Sequence, residues 1–551
     1  MNKRTLFSNR IGLAAAVGAL VFVLGCTPSA QPAQPSGQPA EKPAAGQPGQ
    51  PKLGGTLVLL MNQAGDPPSF DLHQESTSAT TESAGPAYDN LVRFDPMKPN
   101  DDVIIPDLAE KWEVSKDGKT YTFTLRKGVK FHNGNPFTAA DVKFTLDRVK
   151  DPPKGVRSPR QTAFDPITSI ETPDDSTVVI KLERPYASLL VNLAQGWMPI
   201  YDKEWIEAKG NDAPTKEMMG TGPFKLDRYT RGTEVVHKKD PNYWNKGLPY
   251  LDGLKTLIVP DPNTRLAALR TGQVHLLSVN TGDFEKLKTE LGDKAKYERL
   301  GSLGFGSLYM NTTRKPYDNP KVREALNLSV SRQDAVKVLA QGDALLGGYM
   351  RPGGPWSLSD EEILKLPGYG QDKTKDLERA KQLLAEAGYP NGFEAVVKTR
   401  QSQGYIDLSV FLIDQLKKIG VNATLKPFET AQIYDFANAG DYDLLAWTHG
   451  FALDDPDAVY NEFYLCNSPR NWSKLCSPQV DELYMKQSQE LDPAKRKALM
   501  MELERKAVPT ASKIISQWSV TRSVQWQFVQ NYTRHASSYN NIRYDQVWLD
   551  K

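Results

Sequence analysis

An α/β protein with more than one lobe is predicted by three observations. The chain has 551 residues, too many for a single hydrophobic core. From about residue 375 to residue 447, helical and strand patterns alternate, which implies a parallel sheet with right-handed crossovers. Upstream, between residues 54 and 277, short strands pair as hairpins around few helices, which suits a separate lobe with a mixed sheet.

The chain opens with a positive segment (Lys3, Arg4, Arg10), an apolar one (Ile11 to Leu24) and the closing sequence Val23-Leu24-Gly25-Cys26. So short an apolar run, ending in small residues, reads as an export signal over residues 1–25 and not as a stable span. Val-Leu-Gly-Cys also resembles a bacterial lipobox, which implies cleavage before Cys26 and lipid on its thiol; an uncleaved anchor with an incidental cysteine is the alternative. Several acyl chains, at about 0.8 kcal/mol per buried CH2, would hold the protein to a membrane where one would not. Residues 26–52 follow as a tether, almost wholly Pro, Gln, Ala, Gly and Ser, with no apolar periodicity from which to build a core. As a coil it would reach roughly 30 Å, and as an extended chain at most about 80 Å. Outside the cytoplasm disulfides persist, so the odd count of three cysteines resolves into one lipid site, Cys26, and one pair, Cys466 with Cys476.

The folded part starts with a buried strand, Gly54 to Leu60, ending at Asn62 and Gln63. Lys119 to Leu125 alternates, with Tyr121, Phe123 and Leu125 on one face, and is expected to be a half-exposed antiparallel strand. Thr138 with Asp141 three residues on caps a helix whose apolar face is Val142, Leu146 and Val149. A hairpin joins Phe224–Tyr229 to Thr233–Lys238, and a helix from Asn263 or Thr264 ends at Gly272 before a strand at Val274 to Leu277. After a strand at Leu303 to Asn311 come a helix over 375–387, a strand over 394–399, a helix ending at Gly420, a strand over 421–427, a helix over 430–439 and a strand from Leu444 to Trp447. The last strand-like stretch is Val520 to Phe528, and no internal repeat is present.

Charge and motifs exclude several functions. Lys and Arg total 68 against 66 Asp and Glu, so no basic stretch suits nucleic acid. There is no H-E-x-x-H, no G-x-S-x-G and no phosphate loop, and the six histidines lack metal-ligand spacing, so no cofactor or metal is expected. An exported hydrolase with paired carboxylates remains the rival class.

The stretch from Gly440 to Cys476 is where a ligand is expected. A short apolar strand ends in a polar, glycine-containing loop, and open α/β sheets bind ligands at the carboxyl ends of their strands. Trp447, Phe451, Tyr460 and Trp472 could stack on a planar solute or simply pack the core, and His449 is the one histidine near this stretch. Asp454, Asp455 and Asp457 lack a calcium loop's pattern and read as a solvated acidic loop.

Several stretches in order resemble the solute-binding proteins of bacterial ABC importers, in the large family that includes the oligopeptide, dipeptide and nickel binders. They are Gly54-Gly55-Thr56-Leu57, Leu125 to Gly134, Phe137 to Val142, Gly220-Thr221-Gly222-Pro223-Phe224, Leu269 to Val274, Met310-Asn311-Thr312, Pro320 to Leu326 and Ala380 to Tyr389. The resemblance implies a two-lobed periplasmic-binding-protein-like fold of class II type with an extra subdomain in the first lobe. On that pattern residues 53–95, 219–302 and 522–551 form lobe I, residues 96–218 its subdomain and residues 303–521 lobe II. It implies no enzymatic activity, a monomer held extracytoplasmically by its lipid, and as partners a peptide or other small solute and ABC permease subunits; a surface receptor without an importer is an alternative. Peptide-binding relatives place an aspartate three residues after the tryptophan, where it pairs with the peptide's amino group. Here that position is Gly450, and Asp454 or Asp455 is the candidate substitute. Arg400 falls near the arginine that grips a dipeptide's carboxylate, Asn471 at a family polar position, and Asn62 at the end of the first strand completes the candidate site with Trp447, His449, Phe451 and Trp472. An oligosaccharide or other organic solute is the alternative ligand.

Overall fold

Two long antiparallel strands, Ala295–Met310 and Lys513–Trp526, form the spine of the protein. The structure is a computed structural model that describes residues 50–61, 65–100, 103–468 and 470–551. The two strands sit inside a six-stranded sheet whose spatial order is Leu276–Val279, Lys513–Trp526, Ala295–Met310, Leu444–Gly450, Phe393–Arg400 and Val421–Phe428. Their pairing slips in register between Gly301 and Phe305. Up to Ser302 the first strand is mostly half-exposed, and from Leu303 onward every residue is buried.

Three strand boundaries differ from expectation. The strand expected over 303–311 begins at Ala295, because Lys296, Glu298 and Arg299 hide a half-solvated strand from any apolar pattern. The strand expected over 520–528 begins at Lys513, within a mixed polar and apolar run, and the one expected over 274–277 spans Leu276–Val279. The helix expected from Asn263 or Thr264 is Pro262–Arg270, and Asp261 caps it by accepting from the Thr264 amide at 2.8 Å.

One lobe is built on the Leu444–Gly450, Phe393–Arg400 and Val421–Phe428 half of the sheet, with parallel pairs Val397↔Leu444 and Val397↔Leu425. Helices Gln403–Lys417 and Thr430–Ala439 make the crossovers, and Lys373–Glu386 leads into Phe393–Arg400. The Gln403–Lys417 helix turns Leu408, Phe411, Leu412 and Leu416 inward onto Val397, Leu444 and Ala446, which fixes the sheet beneath the site. A side chain at Gly392 would place its Cβ 1.9 Å from the Gly420 carbonyl oxygen, so only glycine fits where helix and strand ends meet.

The other lobe has a mixed sheet of Thr56–Leu60, Gly253–Leu257, Glu234–Lys239 and Phe224–Thr230, the first two parallel. It also carries an antiparallel sheet of Ala109–Val114, Thr120–Leu125, Thr177–Leu182 and Ile167–Asp174. In that sheet Tyr121, Phe123 and Leu125 are buried as alternation requires, against Val142, Leu146 and Val149 of the Ala139–Lys150 helix. Arg543, from the C-terminal segment, bonds Asp107 Oδ1 at 2.9 Å and Oδ2 at 2.8 Å and also pairs with Asp89, tying that segment to the start of this sheet.

Candidate functional site: a cleft between the lobes

The strand that carries the site is longer than expected: Leu444–Gly450 pairs with Ala295–Met310 as far as Gly304↔Gly450, so Thr448, His449 and Gly450 lie in the sheet and not in a loop. Side chains alternate along it. Leu444 and Ala446 enter the helix-covered core, while Leu445 and Trp447 enter a second cluster with Tyr309, Tyr442 and Trp472. Trp447 is 2% exposed and meets Tyr405, Tyr434 and Trp472 edge-on with centroids 5.4, 5.0 and 5.2 Å away. Trp472 is fully buried and donates its Nε1 proton to Asn438 Oδ1 at 3.0 Å. Phe451 packs among Phe305, Phe463 and Trp518, and Tyr460 is fully buried. Of the two roles open to these rings, packing the core is the one the structure shows.

His449 is buried with its Nε2 against the Tyr309 hydroxyl, which also accepts from Lys513 Nζ at 3.0 Å. Burial, helped by Lys513 and Arg470, holds the imidazole well below its usual pKa, so it is neutral and Tyr309 donates to it. Lys513 is the unexpected member: its ammonium carbon chain and amine lie among Phe305, Tyr309, Tyr349, Phe463 and Tyr464, with Nζ 4.2 Å from the Tyr464 centroid.

The acidic run is not a solvated loop. Asp454 Oδ2 accepts from Arg351 Nε at 2.7 Å, in a buried pair, so it does not take over the role of the missing aspartate at position 450. Asp455 Oδ1 accepts from Ser188 Oγ at 2.7 Å and Arg496 Nη2 at 3.0 Å, and Asp457 Oδ2 accepts from Asn192 Nδ2 at 2.9 Å. Ser537 Oγ and Asn540 Nδ2 donate to the carbonyls of Phe451 and Ala452 at 2.7 and 2.6 Å, and Leu453 sits in the core beside the antiparallel sheet. The segment after the site strand is thus pinned from one lobe onto the other. Asp455→Ala would leave Arg496 buried without its counter-charge, and a loss of about 3 kcal/mol in urea unfolding is expected, against little change for a surface aspartate such as Asp227→Ala.

Asn471 does not face the cleft either. Its Nδ2 donates to the carbonyls of Leu465 and Leu475 at 3.2 and 2.8 Å and its Oδ1 accepts from Ser473 Oγ, closing the loop that the Cys466–Cys476 disulfide also closes. Replacing both cysteines by serine is expected to cost about 2 to 3 kcal/mol, measured by thermal or urea unfolding of oxidised protein. Arg400, at the end of the Phe393–Arg400 strand, donates Nε to Thr430 Oγ1 at 2.7 Å and lies 5.7 Å from the Tyr405 centroid. Among the described residues no carboxylate lies within ion-pair distance of it. Asn62 and Cys26 lie outside the described residues.

A partly open cavity of about 50 Å³ lies beside Gly450. Arg160, Trp197 and Tyr539 wall it on one side, and Gly450, Glu462 and Arg470 on the other. A Cβ at Gly450 would stand 3.2 Å from the Tyr539 hydroxyl, so a side chain there would enter the cavity. Trp197 and Tyr539 are in contact, with centroids 5.1 Å apart, and Arg160 lies 4.4 Å over Trp197. Arg470 pairs with Glu462 and stacks 4.5 Å from Phe463. Of these wall residues only Gly450 was singled out from sequence. Arg470 adjoins the recognised Asn471-Trp472, but Arg160, Trp197 and Tyr539 stand far away in the chain and belong to no motif.

Two α/β lobes joined through one sheet around a charged, aromatic-walled cavity define a binding protein of the periplasmic type. The chain belongs to the bacterial extracellular solute-binding proteins, family 5, whose middle-region model matches residues 103–471. It is 31% identical over 458 residues to the dipeptide-binding protein of Escherichia coli K12, covering 77% of this chain and 82% of that one. Its structure superposes with a TM-score of 0.80, at 27% identity, on the periplasmic binding protein DppA of Helicobacter pylori in complex with the peptide STSA, covering 91% and 99% of the two chains. It superposes with a TM-score of 0.79, at 28% identity, on AgaA of A. tumefaciens R10 in complex with agropinic acid, covering 90% and 99%. The family and these relatives are solute-binding proteins and not enzymes.

Proposed function

We propose that this chain is the solute receptor of an ABC importer, which captures a peptide or peptide-sized solute between its lobes and delivers it to permease subunits. The observation that carries this reading is the partly open cavity beside Gly450, walled by guanidinium groups, carboxylates and aromatic rings, in a chain related to peptide binders. Residues 53–95, 219–302 and 522–551 make lobe I, residues 96–218 its subdomain and residues 303–521 lobe II. The chain then crosses between lobes only near Ser302 and Thr521, beside the register slip in the paired long strands, and those crossings are the hinge. A solute that touches both lobes binds the closed form better, and that difference drives closure. Lipid on Cys26 and the 26–52 tether would hold the receptor at the membrane surface.

Gly450 supports a second reading. With no carboxylate at that position, the cavity does not demand a free peptide amino group, and AgaA with agropinic acid is a structural neighbour holding something other than a named peptide. Tryptophan fluorescence separates the readings, since Trp197 walls the cavity. Di- to pentapeptides are expected to give saturable emission changes and higher melting temperatures. No response to any of them, with a response to non-peptide solutes, would favour the second reading.

A further inference from the structure

Among the described residues, Arg160 is a charged wall residue with no ion-pair partner. Its Nη1 donates to the Glu75 carbonyl at 2.6 Å, and its Nη2 has only Ser76 Oγ at 3.5 Å. Among the described residues no carboxylate lies within ion-pair distance of it. The carboxylate that acts on it most strongly, Glu462, is already committed to Arg470. Asp457, also on the wall, has its carboxylate engaged by Asn192, Asn461 and Tyr484. Glu75 also acts on Arg160 without pairing with it, so of the two guanidiniums only Arg470 has a carboxylate in ion-pair contact, and a low-dielectric site favours an anion beside the other. Burial, opposed by Glu462 and reinforced by Arg470, pushes Arg160 down to about 10, so it remains charged at neutral pH. Its planar face is held over Trp197, which fixes the fork in place for a bidentate partner.

We propose that Arg160, with Arg470 across the cleft, forms a subsite for a carboxylate of the captured solute, additional to a terminal carboxylate taken by Arg400. The inference rests on the reading of the cleft as the site of a peptide-sized solute, and it narrows the ligand class to solutes with two acidic groups. An anion shared by Arg160 of one lobe and Arg470 of the other would also strengthen closure, because its contacts exist only when both lobes are near.

The test is calorimetric titration of the purified protein with Ala-Ala-Glu, Ala-Ala-Gln, glutarate and maltotriose, repeated on R160Q and R160K. Ala-Ala-Glu is expected to bind at least about tenfold tighter than Ala-Ala-Gln, corresponding to about 1.4 kcal/mol. R160Q should erase that preference and R160K retain part of it. Because the readout is a ratio between two ligands on one variant, general weakening of the fold does not mimic it, and thermal melts of both variants confirm folding. Equal binding of the two tripeptides, unchanged in R160Q, would overturn the subsite while leaving the peptide reading intact. Glutarate binding that R160Q abolishes, with no binding of either tripeptide, would keep the subsite and overturn the peptide reading. Binding of maltotriose alone would overturn both.

Discussion

Arg543→Met is expected to cost about 4 kcal/mol of stability in urea unfolding, the largest loss from any single side chain in the C-terminal segment. Among the described residues, Arg543 is the only guanidinium bonded to both Asp89 and Asp107, whose side chains are 0% and 1% exposed. Burial works against its charge, but Asp107 and Asp89 outweigh burial and hold its pKa well above the usual range. Methionine fills the volume and leaves two buried carboxylates facing each other, with Asp89 still bonded by Trp244 Nε1 at 2.7 Å and Thr221 Oγ1 at 3.0 Å. Asp89→Asn and Asp107→Asn added to Arg543→Met should restore much of the loss, since the cost lies in the unpaired charges. A loss below about 1 kcal/mol for Arg543→Met would mean that solvent reaches these carboxylates.

Lys513→Met is expected to act in the opposite direction and raise the melting temperature at neutral pH. Burial, reinforced by Arg470 and only partly opposed by Glu462, holds the Lys513 amine well below its usual pKa. The groups around it are the rings of Phe305 and Phe463, the phenols of Tyr309, Tyr349 and Tyr464, and the neutral His449 beyond Tyr309. In the unfolded chain the same amine is protonated up to its ordinary value. The unfolded state therefore binds the extra proton, and stability of the wild type should rise as pH rises from the depressed folded value towards that ordinary value. Lys513→Met removes the penalty and flattens this rise, while Tyr309 keeps its bond to His449. Lower stability of Lys513→Met at neutral pH, or an unchanged pH slope, would show that the amine is charged and compensated in the folded protein.

How much of this was legible in the sequence depends on whether a feature is local. The Thr120–Leu125 strand alternates, the Gln403–Lys417 helix carries its apolar face at helical spacing, and Gly420 and Gly440 end helices, so these were readable directly. The cysteine pair followed from counting. The exposed half of Ala295–Met310 was not readable, because a strand half in solvent and interrupted by charges leaves no apolar signature. At the candidate site the sequence left the aromatic rings open between stacking on a solute and packing the core, and the structure packs them. Trp447 and Trp472 have the composition of a stacking surface, yet alternation along the strand drives Trp447 into a buried cluster of rings. Asp454 and Asp455 have the composition of a ligand clamp, yet Arg351 and Arg496 reach them from about 40 to about 100 residues away, and no local pattern announces such partners. Arg160 and Tyr539 become neighbours of Gly450 only when the lobes meet.

Capture of an acidic, peptide-sized solute beside Arg160 and Arg470 is directly measurable. Its most direct test is mass spectrometry of the small molecules released by denaturing protein purified under native conditions from its own growth medium. Short peptides or related solutes with two carboxylates, present in near-equal molar amount to protein and lost from R160Q, are the expected result. Release of neutral sugars in that amount, or an equal yield of the same solutes from R160Q, would contradict the account.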